Sequence, residues 1–303
     1  MINKFVANII PYLPKKMVWV FSKKYIAGAT LEDAIRVSKG LNDKGIKVTL
    51  DVLGEFISTL DEAEANKEEY LRLIEETSKN NIDCSYSLKP TSFGLLIDEA
   101  HCYQKVREIV ERAGQNKRFV RIDMEDSKCV DKELALFKKL YLEFPKHVGI
   151  VLQAYLRRTQ GDIKSLETFN KEEAPINIRL CKGIYIEPEE IAYKKGAEVN
   201  KNYIACLQII FEKDMFPAIA THDRFLLKFV KDYIAGHSIK DDAYEYQMLY
   251  GVTPKRRDKI VKSKATMRVY VPYGQEWFGY STRRLKENPM VVTHILKSLL
   301  VPN

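Results

Sequence analysis

Histidine is scarce, with five in 303 residues, and only His222 falls at the end of a strand-patterned run. Zinc and two-metal hydrolases normally need two or more such ligands, so no catalytic metal is expected. The five cysteines (Cys84, Cys102, Cys129, Cys181, Cys206) are odd in number and contain no CxxC pair. They read as reduced thiols in a cytosol rather than as a disulfide framework. No GxGxxG follows the first strand-like run, which counts against the doubly wound dinucleotide-binding sheet, the alternative fold. Low-complexity segments and internal repeats are missing. The apolar run near the N-terminus is cut by Pro11, Pro14, Lys15 and Lys16, so neither a signal peptide nor a membrane span is expected there.

What is present is a composition able to bury a sizeable core, 46% hydrophobic and 30% charged. The net charge of +8 suits nucleic acid, an anionic membrane surface or an anionic ligand. The lysines are interspersed with glutamates rather than gathered into one arm, so nucleic acid is not expected as a partner. Residues 1–45 read as a helical arm, with apolar patches at Phe5–Tyr12 and Met17–Tyr25 flanked by Lys15, Lys16, Lys23 and Lys24. Basic amphipathic helices can lie on membrane surfaces, although packing on the body of a domain is their more ordinary use. Thr30 and Asp33 form a capping-box pattern, with Asp in the Glu position, ahead of an amphipathic run to Asn42.

From residue 46 to 303 strand and helix patterns alternate. β-rich runs stand at Val48–Leu53, Cys84–Leu88, Phe119–Met124, Val148–Ala154, Ile176–Leu180, Pro217–Ala220, Tyr244–Met248 and Arg268–Val271. Helix-patterned stretches lie between them, among them Glu62–Lys79, Leu95–Ala113, Lys132–Glu143, Glu189–Glu212 and Arg224–Gly236. Eight strands each followed by helix predict an α/β fold, a (β/α)8 TIM-type barrel preceded by N-terminal helices.

Barrel chemistry sits at the C-terminal strand ends, and here those ends are polar. In strand order they carry Asp51 and Glu55; Tyr86 and Lys89; Asp123 and Glu125; Gln153 and Tyr155; Arg179, Lys182 and Tyr185. The last three carry Thr221, His222 and Asp223; Glu245 and Gln247; Tyr270 and Tyr273. Beyond them, Tyr280, Arg283, Arg284 and Glu287 share one helical face, where an ordinary barrel helix would place Leu or Val. Adjacent guanidiniums are tolerated in water, as a solvated face paired with Glu287, or around an anion such as a small carboxylate. The cations suffice for two anionic ligands. Arg179 and Lys182 suit a phosphate-bearing or electron-rich cofactor; Lys89 with the two helix arginines suits a small acid.

Nine blocks carry a resemblance over nearly the whole chain. They are LDVLGE (50–55), SLKPTSFG (87–94), RIDMED (121–126), VLQAYLRRT (151–159), RLCKGIY (179–185), ATHD (220–223), YEYQMLYGV (244–252), RVYVPYG (268–274) and YSTRRLKENP (280–289). In this order they resemble the proline dehydrogenase family, in its single-function bacterial form. The resemblance implies a distorted barrel whose last helix lies over the barrel mouth. It implies FAD as cofactor and hydride transfer from C5 of L-proline to flavin N5, giving Δ1-pyrroline-5-carboxylate. Electrons would pass to a quinone, which gives the basic arm of a cytoplasmic protein a reason to touch the inner face of the cytoplasmic membrane. By the same resemblance Lys89, Arg283 and Arg284 hold the proline carboxylate, while Tyr185, Tyr270 and Tyr280 shape the pocket. Asp123 orients Tyr270, and Arg179 sits near the reactive flavin nitrogen. Met124, Gln153, Lys182, Gly183, Ile184, Thr221 and His222 line the cofactor, and Asp51 and Glu55 help close the site against the first arginine. Glu287 and Asp123 are both candidates for a general base. The fused enzymes commonly carry Trp directly after the tyrosine of the fifth-strand block, where this chain has Ile186. Tyr280 is expected to crowd a substituent on the proline ring, which favours proline over hydroxyproline. Two other classes stand beside this reading: a flavin-free barrel lyase or phosphate-handling isomerase, and a basic binding protein with salt-sensitive affinity.

Overall fold

The computed structural model describes residues 15–54 and 56–281. Phe5–Tyr12, Glu55, Arg283, Arg284 and Glu287 therefore lie outside the described residues. Eight parallel strands close into a barrel in sequence order. They are β1 (Lys47–Val52), β2 (Cys84–Leu88), β3 (Val120–Ile122), β4 (Val148–Gln153), β5 (Asn177–Cys181), β6 (Phe216–Ala220), β7 (Glu245–Leu249) and β8 (Met267–Tyr273). Described helices are α1 (Lys15–Ser22), α2 (Leu31–Asn42), α3 (Leu60–Lys79), α4 (Glu99–Gln115), α5 (Val130–Glu143), α6 (Thr159–Leu166), α7 (Gly196–Glu212), α8 (Arg224–Gly236) and α9 (Pro254–Lys262).

Alternation along each strand divides the side chains between two environments. Val48 and Leu50, Tyr86 and Leu88, Ile178 and Leu180, Val269 and Val271 are all fully buried in one continuous apolar core. They point outward to the helices: the Tyr86 hydroxyl meets Thr77 Oγ1 on α3 at 2.7 Å. Removing each such side chain from water is worth roughly 1.5–3 kcal/mol, and this belt is the main source of stability.

The inward face is polar, where barrels usually carry branched aliphatic residues. At the N-terminal end Arg268 pairs with Glu245 at 2.9 Å and donates to the Val48 carbonyl at 3.0 Å. Burial alone would raise the Glu245 carboxyl, but Arg268 outweighs it and holds the group low. Arg121 crosses the same end of the interior and donates to Asn177 O at 2.7 Å. Gly149 makes room for it, since a Cβ there would stand 2.8 Å from Arg121 Nη1 and 2.5 Å from Asn177 O. Burial, reinforced by the nearby Arg179, pushes the Arg121 guanidinium well below its ordinary value.

The seam of the barrel is covered from the N-terminal side. Helix α2 turns Leu31, Ala34, Ser38 and Leu41 inward and packs on β1 and β8. Its N-cap is half the expected box: Thr30 accepts from the Asp33 amide, while Asp33 binds Arg36 and the Thr30 hydroxyl. A smaller cluster of Ile26, Leu53 and Tyr280, with Trp19 and Trp277 against it, joins α1 to the helical turn at 277–281. Leu53 directly follows β1, so this turn lies at the C-terminal end of the barrel.

Two corrections concern elements. The helix expected from Glu189 begins at Gly196. The preceding residues instead form a turn, with the Ile191 and Ala192 amides donating to the Pro188 carbonyl at 3.1 and 3.0 Å, followed by an antiparallel bridge between Leu156 and Ala192. Helices α6 and α9 carry too few apolar residues for periodicity to reveal them; α9 buries none.

Candidate active site at the barrel mouth

Arg179, in the middle of β5, is 7% exposed and is held from three other strands. Its Nη1 donates to Asp123 Oδ1 at 2.8 Å and Ser87 Oγ at 2.9 Å, and its Nε donates to Gln247 Oε1 at 2.5 Å. These partners sit on β2, just beyond β3, and on β7, none of them a neighbour of β5. The bonds can therefore run only through the barrel interior. The Tyr270 ring lies 5.3 Å from the guanidinium, and its hydroxyl donates to Asp123 Oδ2 at 3.2 Å. Ser87 Oγ donates to Asp123 Oδ1 at 2.7 Å. Asp123 thus accepts from a guanidinium, a serine and a phenol, so its oxygens are committed to positioning. Burial, then the negative Asp51 and Asp123, push the Tyr270 phenol well up.

Asp51 ends the inward row of β1. It is fully buried and pairs with Lys89 Nζ at 3.2 Å, after β2. Burial raises its carboxyl to about 6, with Lys89 opposing and Asp123 adding to the rise. Lys89 and Tyr280 line one cavity of about 490 Å3, bounded by Leu53, Asn66 and Glu276 among others. Tyr280 is 8% exposed. The structure therefore brings Asp51, Lys89, Asp123, Arg179, Tyr270 and Tyr280 to the same end of the barrel.

The other rim carries the remaining candidates. Lys182 is partly exposed and pairs with Asp223 at 2.5 Å, while Asp223 also caps α8. Lys182 and the nearby amides outweigh burial and hold the Asp223 carboxyl low. His222 Nε2 accepts from the Leu249 amide at 3.1 Å, so its Nδ1 carries the proton toward Thr253 Oγ1 at 3.0 Å. Both ring nitrogens are used within the fold. Thr253 holds a left-handed backbone at φ 45°, uncommon for a β-branched residue. Thr221 and Met124 are buried, Gln153 donates to the Glu125 carbonyl at 2.8 Å, and Ile184 and Tyr185 stand on the loop after β5.

Three expected mouth residues lie elsewhere. Tyr86 faces the helices, Glu245 starts its strand at the opposite end, and Tyr273 bonds to Glu69 on α3 at 3.1 Å. Glu125 is buried beneath the mouth, accepting from the Thr91 amide at 2.9 Å and from the Thr91 hydroxyl. With Cys129 and Glu133 it forms a buried group whose potential ligand atoms lie within 4.8 Å of one another. Glu133 Oε1 accepts from the Glu125 amide, and Oε2 has no hydrogen-bond partner among the described residues. Burial and the adjacent Glu125 push the Glu133 carboxyl well up. Sequence reasoning passed over Ser87 and the Asp51–Lys89 pairing. The recurrence of polar residues at every second position of the strands is the signal that reveals the inner face.

Comparison with known proteins gives a consistent picture. The family model described as proline dehydrogenase matches residues 34–295. Proline dehydrogenase 2 of Bacillus subtilis (strain 168) is 37% identical over 280 residues, covering 92% of this chain and 90% of its own length. A proline dehydrogenase of Deinococcus radiodurans is 33% identical over 295 residues, covering 96% of this chain and 94% of its own. Among solved structures, proline utilization A from Bdellovibrio bacteriovorus inactivated by N-propargylglycine superposes with a TM-score of 0.82 at 28% identity. The match covers 88% of this chain but 32% of that one, so the chain spans about a third of the larger protein. The Bradyrhizobium japonicum counterpart, at 20% identity and a TM-score of 0.76, shares the fold.

Proposed function

The chain belongs to the proline dehydrogenase family, and on that premise we propose that it holds FAD at the barrel mouth and oxidises L-proline there. The product is Δ1-pyrroline-5-carboxylate, in the first step of proline catabolism, and a quinone takes up the electrons. The observation that carries the reading is the buried Arg179 guanidinium, fixed across the barrel by Asp123, Ser87 and Gln247.

The donor set suits an anionic cofactor with a flat ring system. Arg179 and Lys182 supply positive charge, Gln153 and Thr221 supply polar contacts, and His222 supplies a ring face fixed by its two hydrogen bonds. When bound, FAD supplies the two-electron acceptor that no side chain can provide. Arg179 stabilises negative charge developing beside it, and its three partners hold it in place before the reaction begins. Lys89 grips the substrate carboxylate, with Arg283 and Arg284 joining it. A carboxylate held at that end fixes the ring carbon next to nitrogen in one orientation, which is catalysis by positioning. Tyr270, tied to Asp123, and Tyr280 wall the substrate ring.

No described helix is long and apolar enough to cross a membrane. Lys15, Lys23 and Lys24 are exposed in and just after α1, which supports a peripheral contact for delivery of electrons to a membrane quinone.

The test is turnover of the FAD-loaded chain with L-proline and a soluble quinone. The expected product is lighter than proline by two hydrogen atoms. Lys89→Met should raise the proline KM roughly ten- to a hundred-fold, the worth of one charged hydrogen bond, and leave FAD content unchanged. Absence of proline turnover in the loaded wild-type chain would overturn the assignment.

A further inference from the structure

The loop from Lys182 to Lys195, between β5 and α7, has an inverted pattern of burial. Ile186 is 101% exposed and Ile184 43%, whereas Glu187 between Ile186 and Pro188 is only 7% exposed. A buried carboxylate is costly unless donors meet it, and exposed isoleucines gain nothing from their position. Hydrophobic burial therefore does not set the conformation of residues 184–187, although Ala192 further along the loop is buried in the core. In the stretch 184–187, Glu187 is held by hydrogen bonds. Its Oε1 accepts from the Ser127 amide at 2.7 Å and its Oε2 from the Ser127 hydroxyl at 2.7 Å. The Lys194 ammonium, further along the same loop, donates to the Glu187 carbonyl.

Ser127 lies on the loop after β3, three residues beyond Met124 and four beyond Asp123. Glu187 lies four residues beyond Gly183 and five beyond Lys182. The bond thus joins the two loops that bear these residues. Along the opposite edge the β5 loop is tied by backbone to the segment after β4: Tyr155 N–H to Lys182 O at 2.7 Å, Tyr193 N–H to Tyr155 O at 2.8 Å and Arg157 N–H to Ile191 O at 2.9 Å. Gly183, at φ +108°, rests on the Tyr155 ring so closely that a Cβ would come within 2.0 Å of Cδ1. The backbone ties set the loop against β4; the direction it takes toward β3 depends on a side chain.

We infer that Glu187 is a positioning residue, a clamp that fastens the β5 loop to the β3 loop so that Lys182–Ile184 and Met124 face a single bound cofactor. The inference rests on the proposed flavin site, and it names a residue that touches neither substrate nor cofactor in the role assigned to it. The exposed Ile184 and Ile186 are then left on the ligand side of the loop by the clamp rather than by their own packing.

The test uses the full-length chain, with and without FAD, as wild type, Glu187→Ala, Glu187→Gln, Ser127→Ala and the Glu187→Ala/Ser127→Ala double variant. Two quantities are read: amide hydrogen exchange by segment in the FAD-free chain, and FAD affinity from quenching of flavin fluorescence. Glu187→Ala should speed exchange at 182–187 and 126–129 roughly ten-fold or more while the β-strands keep their protection. Its FAD dissociation constant should rise by about ten-fold or more. Glutamine keeps one acceptor oxygen and should restore part of both. Ser127→Ala removes only the hydroxyl bond and keeps the amide bond, so it should show a smaller effect, and the double variant should match Glu187→Ala because that bond is already lost with the carboxylate. Unchanged exchange in the two loops would overturn the inference, as would a rise spread evenly over all strands or an unchanged FAD affinity despite loosened loops. Failure of the wild-type chain to bind FAD would remove the proposed function, and the exchange comparison would still decide whether the clamp exists.

Discussion

Replacing Asp123 with asparagine removes the one negative charge among the described residues in direct contact with Arg179 while keeping the size of the side chain. Breaking a buried ion pair from one side costs about 3–5 kcal/mol, because the remaining charge is stranded away from water. Arg179 keeps its 2.5 Å bond to Gln247, and an asparagine carbonyl can still accept from Arg179 or from Ser87, though not from all the donors that Asp123 now satisfies. The expected loss is therefore smaller, roughly 2–3 kcal/mol. Urea unfolding of the FAD-free chain measures it without reference to catalysis. The same substitution in an Arg179→Met background should cost less than about 1 kcal/mol or even stabilise, since the stranded charge would then be Asp123 itself. A single-variant loss below about 0.5 kcal/mol, or strict additivity of the two changes, would refute the view that these residues act as one buried unit.

Three further outcomes follow from the same geometry. Asp51 has a folded value of about 6 against an ordinary 3.8, so ionising it burdens the folded state once pH rises past about 4, fully so above 6. Asp51→Asn should therefore gain on wild type by roughly 2–3 kcal/mol between pH 4 and pH 7.5 in urea unfolding, and parallel pH curves would contradict this. Gly183→Ala must move either the loop or the buried Tyr155 ring, and FAD affinity should fall about ten-fold or more, the worth of roughly 1–3 kcal/mol of backbone strain. Unchanged affinity would contradict that. Glu133→Gln should leave stability at pH 7.5 within about 1 kcal/mol of wild type, because an amide N–H replaces the acid proton. A loss above about 2 kcal/mol would show that Glu133 is ionised in the fold.

The fold was largely legible because the outward strand residues are Val, Ile, Leu, Tyr and Met in short runs bounded by polar turns. Strand β2 at Cys84–Leu88 and helix α8 at Arg224–Gly236 fall on their predicted bounds. The interior was not legible at the level of partners. Arg179, Asp123 and Lys89 can be picked out as mouth residues one by one. That Arg179 would reach Ser87 and Gln247 depends on the register of non-adjacent strands, and that Lys89 would reach the Asp51 carboxylate depends on the pairing of β1 with β2; local pattern encodes neither. Glu245 misled because polar residues on the strands read as mouth residues, yet the strand begins there rather than ending. Glu187 escaped notice for the opposite reason: a Glu-Pro-Glu-Glu stretch reads as solvent-facing, and only the position of Ser127 shows why one of its carboxylates is buried.

The most direct test of the central claim is the visible spectrum of the purified chain under anaerobic conditions, before and after addition of L-proline. The account predicts a yellow protein, as purified or after incubation with FAD, whose flavin absorbance bleaches when proline is added. A chain that stays colourless after incubation with FAD, or a yellow one whose spectrum proline leaves unchanged, would contradict it.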